Sequence, residues 1–306
     1  MTRAFVVVNP QAGGGRTRSR WPAIRDDLTR AGLRIDVAET AGPGDATRLA
    51  GRAVNDGWPL VVAVGGDGTV NEVINGIVSP SGRPLATLAV IATGRGRDVC
   101  RNLGITTDTA LAARGLADAS DVIADLNRAH WPGAGHRYFV NAGGVGFDAE
   151  VAARSRTGWG SGTVPYLLAI FATLRRYVRR AATVAVDGEV VSRGSVAGVV
   201  IANGEYYGGG MRIAPGASPT DAQLNVVILG DIGRVELIRW LPTLYSGRHL
   251  ENPKVRAHTG KTVSIAASGE LSMHVDGEPV LPSPVSVSVC PGALRLRRVG
   301  DSLIRH

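Results

Sequence analysis

The chain has 306 residues, 44% of them hydrophobic and 20% charged, which is ordinary for a globular protein and allows a core for two domains. No run of about 18 apolar residues occurs, so the sequence predicts no membrane-spanning helix. The N-terminus enters a strand pattern at once, without the apolar region of a signal peptide. Cys100 and Cys290 lie far apart and lack metal-ligand spacing, so a reduced cytoplasmic setting fits best.

The formal net charge is +8, and most of the positive charge comes from arginine. Arginine binds phosphate through two parallel hydrogen bonds, so the charge favours anionic partners such as nucleotides, anionic lipid head groups or nucleic acid. A GC-rich genome that favours arginine codons would give the same composition without any such partner. The charge alone therefore leaves the partner open.

The first part of the chain alternates strand and helix patterns. Apolar, β-branched runs predict strands at residues 4–8, 33–38, 60–64 and 85–91. Helical patterns follow at residues 18–31, 45–56 and 70–77. This alternation is typical of a parallel sheet with connecting helices, so we expect an N-terminal α/β domain with a parallel sheet over residues 1–130.

Three of these four strands end in glycine-rich loops, at residues 9–16, 65–71 and 92–98, and Thr40 ends the remaining strand. The carboxyl ends of parallel strands meet at one edge of the sheet, where ligands bind. Glycines let a phosphate reach backbone N–H groups, and a helix N-terminus adds positive partial charge. The loops are neither a Walker A motif nor the dinucleotide fingerprint. They predict a nucleotide site, although each loop alone could be a tight turn, and Thr40 could simply cap the next helix.

Asp67 is the carboxylate within the glycines of the 65–71 loop. A carboxylate beside phosphate is repelled unless Mg²⁺, or a hydroxyl awaiting deprotonation, lies between the two. Asp67 therefore indicates phosphoryl transfer. The alternative is a tight strand-to-helix turn with Asp67 near the helix cap.

From about Val122 the pattern changes, and strand-like runs follow one another at residues 137–141, 183–187, 196–203, 223–229, 262–266, 271–275 and 285–289. They predict a mainly antiparallel β domain over residues 131–306, whose C-terminal tail is free to return to the first domain. Asp187-Gly188 and Asp276-Gly277 are hairpin signals. A helix at residues 165–180, apolar first and basic last, suits either an anionic membrane surface or packing on the β domain.

Several motifs resemble the diacylglycerol kinase catalytic domain family, which includes bacterial lipid kinases and sphingosine kinases. They are Asn9-Pro10 with its glycines, the 65–72 loop, the 141–149 segment with Gly-Phe-Asp-Ala, the 203–215 block followed by Asp221, and Asp276-Gly277-Glu278. In this order they cover nearly the whole chain. NAD kinases and phosphofructokinases are similar in the 65–68 loop, and the 203–215 block separates the lipid kinases from them.

The resemblance implies ATP-dependent, Mg²⁺-assisted phosphorylation of a hydroxyl of diacylglycerol or a related lipid, in a cleft between the two domains. It implies that Glu278 is the general base and that Asp67 positions magnesium-ATP or the hydroxyl. Asp221 would bind a structural Mg²⁺ ion, with backbone oxygens of Ser218 and Gln223 beside it. The residues that would hold the nucleotide are Asn9, Pro10, Gln11, Ala12, Gly13, Thr40, Gly65, Gly66, Asp67, Gly68, Thr69, Val70, Asn71 and Arg95.

Three residues depart from the family pattern. The family usually has Gly-Thr-Gly-Asn-Asp where this chain has Arg95 and Arg97 at the second and fourth positions, and Ala222 replaces the glycine of an Asp-Gly pair. Arg95 can bind phosphate more strongly than threonine, but it fills space that the acceptor needs. Acceptor identity therefore stays open.

Two other functions stay open beside a lipid kinase. One is a kinase of a soluble polyol, nucleoside or secondary metabolite, and the other is a nucleotide-binding homologue that no longer catalyses. The leading interpretation expects ATP and a lipid at the membrane surface as partners, expects no nucleic acid, and leaves a homodimer open. It expects a cytoplasmic protein with peripheral membrane association.

Overall fold

The computed structural model describes residues 2–133, 135–157, 172–173, 180–269 and 271–300. The chain divides into two compact units. The first unit is formed by Met1–Asp125 together with Pro291–His306, and the second unit is formed by Leu126–Cys290. The C-terminal segment therefore belongs to the same unit as the N-terminal part of the chain.

The first unit contains a parallel sheet. Its strands are β1 (Arg3–Val8), β2 (Arg34–Glu39), β3 (Leu60–Gly65) and β4 (Thr87–Ala92), and its helices are α1 (Arg16–Arg30), α2 (Asp45–Asn55), α3 (Asp67–Ile77), α4 (Asp98–Leu103) and α5 (Thr109–Gly115). The strand order is β2-β1-β3-β4, and all three pairings are parallel. The predicted α/β domain is confirmed.

The central strands are buried on both faces, as their apolar runs predict. Every residue of β3 and of β4 is buried. Alternate residues of β1 and β3 share one hydrophobic core with α1 and α5, to which α1 contributes Trp21, Ile24 and Leu28. Because a shift of one residue would turn these side chains away from the core, burial fixes the register of the sheet. That register decides which loops meet at its C-terminal edge.

Helices α2 and α3 lie close together because Gly76 faces α2 without a side chain. A Cβ at Gly76 would lie 2.5 Å from the carbonyl oxygen of Thr47 and 2.7 Å from the Cβ of Ala50. Thr47 also donates from Oγ1 to the carbonyl oxygen of Glu72 at 2.9 Å. The two helices are thus held at backbone contact distance beside the loop that carries Asp67.

The second unit is built from antiparallel strands. They are β5 (Ser120–Trp131), β6 (Gly135–Phe139), β7 (Ala142–Gly146), β8 (Arg180–Val186), β9 (Glu189–Val196), β10 (Gly198–Ala202), β11 (Tyr206–Tyr207), β12 (Met211–Arg212), β13 (Leu224–Leu229), β14 (Val255–Gly260), β15 (Thr262–Ala267), β16 (Met273–Val275), β17 (Glu278–Val280) and β18 (Val285–Arg298). The helices of this unit whose bounds lie within the described residues are α6 (Phe147–Thr157) and α7 (Arg234–Trp240), and short 3-10 helices span Leu241–Tyr245 and Arg248–Glu251.

Two sheets of this unit share one hydrophobic core. The first has the order β14-β13-β10-β7-β16-β17, and in the second the first part of β18 pairs with β15, followed by β8 and β9. Val145 and Ile201 of the first sheet and Val184 and Val263 of the second belong to the same buried cluster. The predicted mainly antiparallel β domain is confirmed, and it has the form of two stacked sheets.

Strands β5 and β18 each contain a division point between the units, after Asp125 and after Cys290. Within the first unit, the end of β18 lies parallel to β4, with Leu296 opposite Leu88. The Gly292 N–H donates to Oδ1 of Asp125 at 2.8 Å. The last part of β18 is thus an integral strand of the first unit.

The strands that have no counterpart of their own in the sequence prediction are β5, β7, β9, β11, β12, β14 and β17. Strand β7 reads Ala-Gly-Gly-Val-Gly, a composition that disfavours strands, and it forms because β10 and β16 pair with its two edges. The predicted helix at residues 165–180 lies outside the described residues, apart from 172, 173 and 180. In the described part of the chain, no helix has the length and apolar character needed to cross a bilayer.

Candidate active site

Three loops meet at the C-terminal edge of the sheet in the first unit. Asn9, directly after β1, donates from Nδ2 to Oγ1 of Thr69 at 2.9 Å, and its Oδ1 accepts the Gln11 N–H at 3.0 Å. Thr93, directly after β4, has its Oγ1 2.6 Å from Oγ1 of Thr17 in α1. The loops after β1, β3 and β4, which the sequence predicts to converge, are therefore joined by side-chain hydrogen bonds.

Glycine is required in these loops where backbone lies against backbone. A Cβ at Gly94 would lie 2.5 Å from the Cα of Gly66, and a Cβ at Gly13 would lie 2.5 Å from the carbonyl oxygen of Thr93. Gly13 also has a φ of +66°, which a side chain would strain. The edge of the sheet is thus poor in side chains, as a phosphate cradle requires.

Asp67 is the first residue of α3 and is half-buried at this edge. Its Oδ2 accepts the Asp98 N–H at 3.2 Å, and a Cβ at Gly96 would lie 2.6 Å from the same oxygen. Burial, and then the negative charge of Asp67, raise the pKa of the Cys100 thiol to about 12. Since that thiol stays protonated at neutral pH, Asp67 rather than Cys100 is the candidate for chemistry here.

The loop after β2 differs from the sequence interpretation. Helix α2 begins at Asp45 with Gly44 as its N-cap, so the alternative that Thr40 caps this helix is wrong. The Thr40 N–H instead donates to the carbonyl oxygen of Val8 at 2.9 Å. The N–H groups of Gly44 and Ala46 donate to the carboxylate of Glu72, at 2.8 Å and 3.0 Å. The glutamate of the 65–72 motif therefore caps α2 across the helix pair.

The other predicted nucleotide-binding residues lie in the same loops or at the start of α3. Pro10, Gly65, Thr69, Val70 and Asn71 are buried, Gln11 is exposed, and Ala12, Gly66 and Gly68 are half-buried. A Cβ at Gly65 would lie 2.5 Å from Oγ1 of Thr69, so this glycine makes room for the threonine. A ligand at the edge would meet mainly backbone groups of the buried residues.

The predicted magnesium site lies in the second unit, before β13. Asp221 is exposed, and its Oδ1 accepts the Gln223 N–H at 2.9 Å, while Oγ1 of Thr220 lies 3.0 Å from Oγ of Ser218. Among the described residues, no group of three or more His, Cys, Asp or Glu side chains lies together as a metal site. A Mg²⁺ ion at Asp221 would therefore depend on backbone oxygens and water.

Glu278 is the first residue of β17, directly after the predicted Asp-Gly turn, and it is half-buried. Val275 is its partner in β16, so the turn contains only Asp276 and Gly277, whose φ angles are +47° and +79°. The Asp276 carboxylate accepts the N–H groups of residues 140, 141 and 142 at 2.9 Å to 3.2 Å. The predicted hairpin is confirmed, and its aspartate is a structural anchor.

A buried polar network, which sequence reasoning missed, lies beside this hairpin. Nε2 of His274 is 2.7 Å from Oδ2 of Asp148, and Tyr207 donates from its hydroxyl to Oδ1 of Asp148 at 2.7 Å. His274 is 1% exposed and Asp148 is 5% exposed. The histidine and the aspartate are far apart in sequence, so no spacing pattern could have paired them.

The second unit also contains an apolar cavity beneath α7. Its lining residues include Phe147, Val151, Met211, Ile213, Ile232, Leu237, Trp240, Leu241 and Leu244, with Asp148 and Tyr207 among the few polar ones. The cavity has a volume of about 70 Å³ and is therefore narrow. None of the residues of α7, all of which the structure describes, is buried. A lining of this kind suits an apolar group with few polar atoms.

Comparison with known proteins agrees with these features. The model of the diacylglycerol kinase catalytic domain matches residues 3–129, and the model of the YegS C-terminal NAD kinase beta sandwich-like domain matches residues 141–298. A diacylglycerol kinase of Mycobacterium tuberculosis (strain ATCC 25618 / H37Rv) is 30% identical over 302 residues, covering 97% of this chain and 95% of that protein. The chain belongs to the diacylglycerol kinase catalytic domain family. It is therefore a kinase, an enzyme that transfers a phosphoryl group.

Other members of the family are similar over most of their length. A diacylglycerol kinase of Staphylococcus carnosus (strain TM300) is 26% identical over 278 residues, covering 90% of this chain and 88% of that protein. The crystal structure of a diacylglycerol kinase from Bacillus anthracis str. Sterne superimposes with a TM-score of 0.72 at 20% identity, with 97% of each chain covered. The two structures therefore share their fold.

The three departures from the usual diacylglycerol kinase pattern have visible consequences. Arg97, the N-cap of α4, has a φ of 59°, and Ala222 also has a φ of 59°. The family's asparagine and glycine suit this left-handed backbone better than arginine and alanine do. Arg95 is exposed, and its Nη2 would lie 2.9 Å from a Cβ at Gly14. In this kinase, a guanidinium group thus lies over the glycine loop that follows β1.

Proposed function

We propose that this protein is an ATP-dependent lipid kinase that transfers the γ-phosphate to a hydroxyl of diacylglycerol or a related lipid. The apolar cavity of the second unit carries the lipid part of this proposal. A soluble polyol or nucleoside would need polar groups along its whole length, whereas this lining is mostly aliphatic and aromatic. Asp148 and Tyr207 supply polar atoms at the cavity, where the glycerol end of a lipid would need them.

The edge of the sheet in the first unit supports ATP as the phosphate donor. Its glycine loops are poor in side chains, which would let a phosphate approach the backbone, and Asn9 fixes the first loop against α3 through Thr69. The guanidinium of Arg95 lies beside Gly14, where it would bind phosphate oxygens with charge-assisted hydrogen bonds. These residues are the ones that would hold and orient the triphosphate.

The residues present fit a Mg²⁺ ion at the nucleotide, because Asp67 places a half-buried carboxylate at an edge of the sheet that is poor in side chains. When bound, Mg²⁺ supplies the neutralisation of phosphate charge that phosphoryl transfer needs. Asp67 would hold the ion or orient the acceptor hydroxyl. A second, structural ion at Asp221 would rest on that carboxylate with Ser218 and Gln223.

Glu278 is proposed as the general base. Its carboxylate would take the proton of the lipid hydroxyl as the hydroxyl oxygen forms a bond to the γ-phosphorus atom. The bond from that phosphorus to the bridging oxygen breaks, and ADP leaves with the electron pair. Glu278 directly follows a turn that is anchored by the hydrogen bonds of Asp276 to backbone N–H groups. This location supports the role, because a base must be held in a fixed direction.

The experiment compares acceptors and two matched variants of α7, using labelled ATP, Mg²⁺ and a short-chain diacylglycerol in detergent. Leu237→Glu places a carboxylate in the cavity and should raise the KM for the lipid by about tenfold or more, because burying an unpaired charge is unfavourable. Val235→Glu introduces the same charge in the same helix at a side chain that is 81% exposed. It should change the KM for the lipid less than about twofold, because this detergent assay contains no bilayer for the exposed face of α7 to bind.

Glycerol serves as the soluble acceptor in the same assay. A lipid kinase should phosphorylate the diacylglycerol far faster than glycerol at equal concentration. Equal rates for the two acceptors, or an unchanged lipid KM in Leu237→Glu, would contradict the proposal and favour a soluble acceptor. ATP binding without turnover on any acceptor would favour the non-catalytic alternative.

A further inference from the structure

The second unit contains the same hairpin sequence twice. Residues 186–189 and residues 275–278 both read Val-Asp-Gly-Glu, and in both hairpins the valine is the strand partner of the glutamate. The Asp-Gly φ angles are +50° and +88° in the first hairpin and +47° and +79° in the second. The two turns therefore have the same backbone conformation, which is that of a two-residue hairpin.

Both turn aspartates also make the same kind of anchor. Oδ1 of Asp187 accepts the N–H groups of Lys261 and Thr262 at 2.9 Å and 2.8 Å, on the start of β15. Asp276 accepts backbone N–H groups at the start of β7 in the same way. Both copies of Val-Asp-Gly-Glu thus form the same turn and attach it to a neighbouring strand.

The hairpins differ in the residue before the valine, which is Ala185 in the first and His274 in the second. Nδ1 of His274 accepts the Gly277 N–H at 3.2 Å. Because a backbone N–H can only donate, Nδ1 carries no proton, and the ring proton is on Nε2. Nε2 therefore donates to Oδ2 of Asp148 at 2.7 Å. The imidazole thus bridges the turn and helix α6.

The residues around His274 leave space for its contact with Asp148 and hold Asp148 in place. A Cβ at Gly144 would lie 2.0 Å from Oδ2 of Asp148 and 2.6 Å from Nε2 of His274, so only glycine fits beside the pair. Tyr207 binds the other oxygen of Asp148, and its ring is parallel to the imidazole, with centroids 6.4 Å apart. Burying a histidine is unfavourable unless both nitrogens have partners, and here both have them.

We propose that His274 is a positioning residue for the phosphoryl transfer, and that the chain Tyr207–Asp148–His274 fixes the Gly277 amide and hence the direction of Glu278. This proposal rests on the proposed role of Glu278 as general base. The hairpin at residues 186–189 forms the same turn without a histidine, so the turn itself does not require His274. Asp148 and Tyr207 also line the apolar cavity. The hydrogen-bond network therefore connects the hairpin of the proposed base with the cavity in which a lipid would bind.

Three substitutions of His274 distinguish the contribution of Nδ1 from that of Nε2. In His274→Asn, the amide oxygen replaces Nδ1 and still accepts the Gly277 N–H. In His274→Gln, the amide nitrogen replaces Nε2 and still reaches Asp148, but the contact to Gly277 is lost. His274→Ala loses both contacts. The readouts are kcat and KM for ATP and for diacylglycerol, and the temperature of thermal unfolding.

Positioning predicts that His274→Gln and His274→Ala lower kcat by about 10- to 100-fold, since a base displaced by about 1 Å loses that order of rate. The KM values should change less than about twofold. His274→Asn should lose less kcat than the other two variants, because it keeps the contact to Gly277 although it loses the link to Asp148. A purely structural role would instead make kcat follow the unfolding temperature in all three variants. That result would overturn the proposal.

A double-substitution cycle with Glu278→Gln completes the test. His274→Gln should cause no further loss when Glu278 is already glutamine, because it acts through Glu278. An equal loss in both backgrounds would overturn the positioning role alone. Full activity of Glu278→Gln by itself would overturn the proposed base, and the positioning role with it. If the His274 variants fail to fold, Tyr207→Phe removes only one hydroxyl from the network and is tested in the same cycle.

Discussion

Glu278 and Glu189 follow turns of identical sequence, but Glu278 is half-buried and Glu189 is exposed. The difference lies in what surrounds each hairpin, namely the network of His274 and Asp148 in one case and alanine in the other. A partly buried carboxylate on a fixed backbone suits proton abstraction, whereas an exposed one is a solvated surface group. This pair of residues gives the base assignment an internal control.

Glu278→Gln should lower kcat for phosphoryl transfer by about 10²- to 10⁴-fold, because glutamine cannot accept the hydroxyl proton. Glu189→Gln makes the same chemical change in the matched hairpin and should leave kcat within about twofold. Rates with saturating ATP and diacylglycerol measure both effects. If the two variants retained the same activity, Glu278 would not be the base.

At the scale of helices and strands, Gly51 of α2 and Gly76 of α3 have opposite surroundings. Gly76 faces the backbone of α2, while a Cβ at Gly51 would lie 3.8 Å from the carbonyl oxygen of Gly76, which is ordinary van der Waals contact. Both glycines lie inside helices, where alanine has the higher helix propensity. The space around each glycine therefore decides whether an alanine there raises or lowers the free energy of unfolding.

Gly76→Ala should lower the free energy of unfolding by about 1–3 kcal/mol, because the methyl group forces α2 away from α3. Gly51→Ala should raise it by about 0.5–1 kcal/mol, since the methyl group has room and the unfolded chain loses freedom. Denaturant unfolding followed by circular dichroism measures both. If both substitutions raised the free energy of unfolding, or both lowered it, this description of the contact between α2 and α3 would be contradicted.

The sequence alone was sufficient to predict those strands and turns whose signals lie within a few consecutive residues. Runs such as Leu60–Gly65 predict buried strands by composition, and the Asp276-Gly277 pair predicts its hairpin by backbone preference. Strand β7 could not be found in this way, because its glycines form a strand only between two partner strands. The pairing of His274 with Asp148 was hidden for the same reason, since it depends on tertiary contacts between distant segments. Glu72 was visible within a motif, but its capping role required the position of α2.

For the whole molecule, the net charge of +8 favours anionic surfaces. Helix α7 adds a local feature, because Val235 and Ile238 are 81% and 43% exposed and lie between Arg234 and Arg239. Apolar side chains beside arginines suit the boundary between head groups and acyl chains of an anionic bilayer. This helix also covers the cavity in which the lipid is proposed to bind.

The protein should therefore co-sediment with vesicles that contain anionic phospholipid and bind neutral vesicles weakly. Raising the salt from about 0.05 M to 0.5 M should release it, because the screening length falls well below 10 Å. Arg234→Glu with Arg239→Glu should weaken binding more than Arg18→Glu with Arg20→Glu, which makes the same charge change on α1. Equal binding to neutral and anionic vesicles would contradict peripheral association through charge.

The place of Leu296 beside Leu88 has a consequence for biosynthesis. During translation, the outer edge of β4 leaves the ribosome long before the strand that covers it. At about 5–20 residues per second, the uncovered edge persists for roughly tens of seconds while the whole second unit emerges. An open strand edge is a template for pairing with other chains. The nascent protein thus has an interval of aggregation risk that ends only when its last strand arrives.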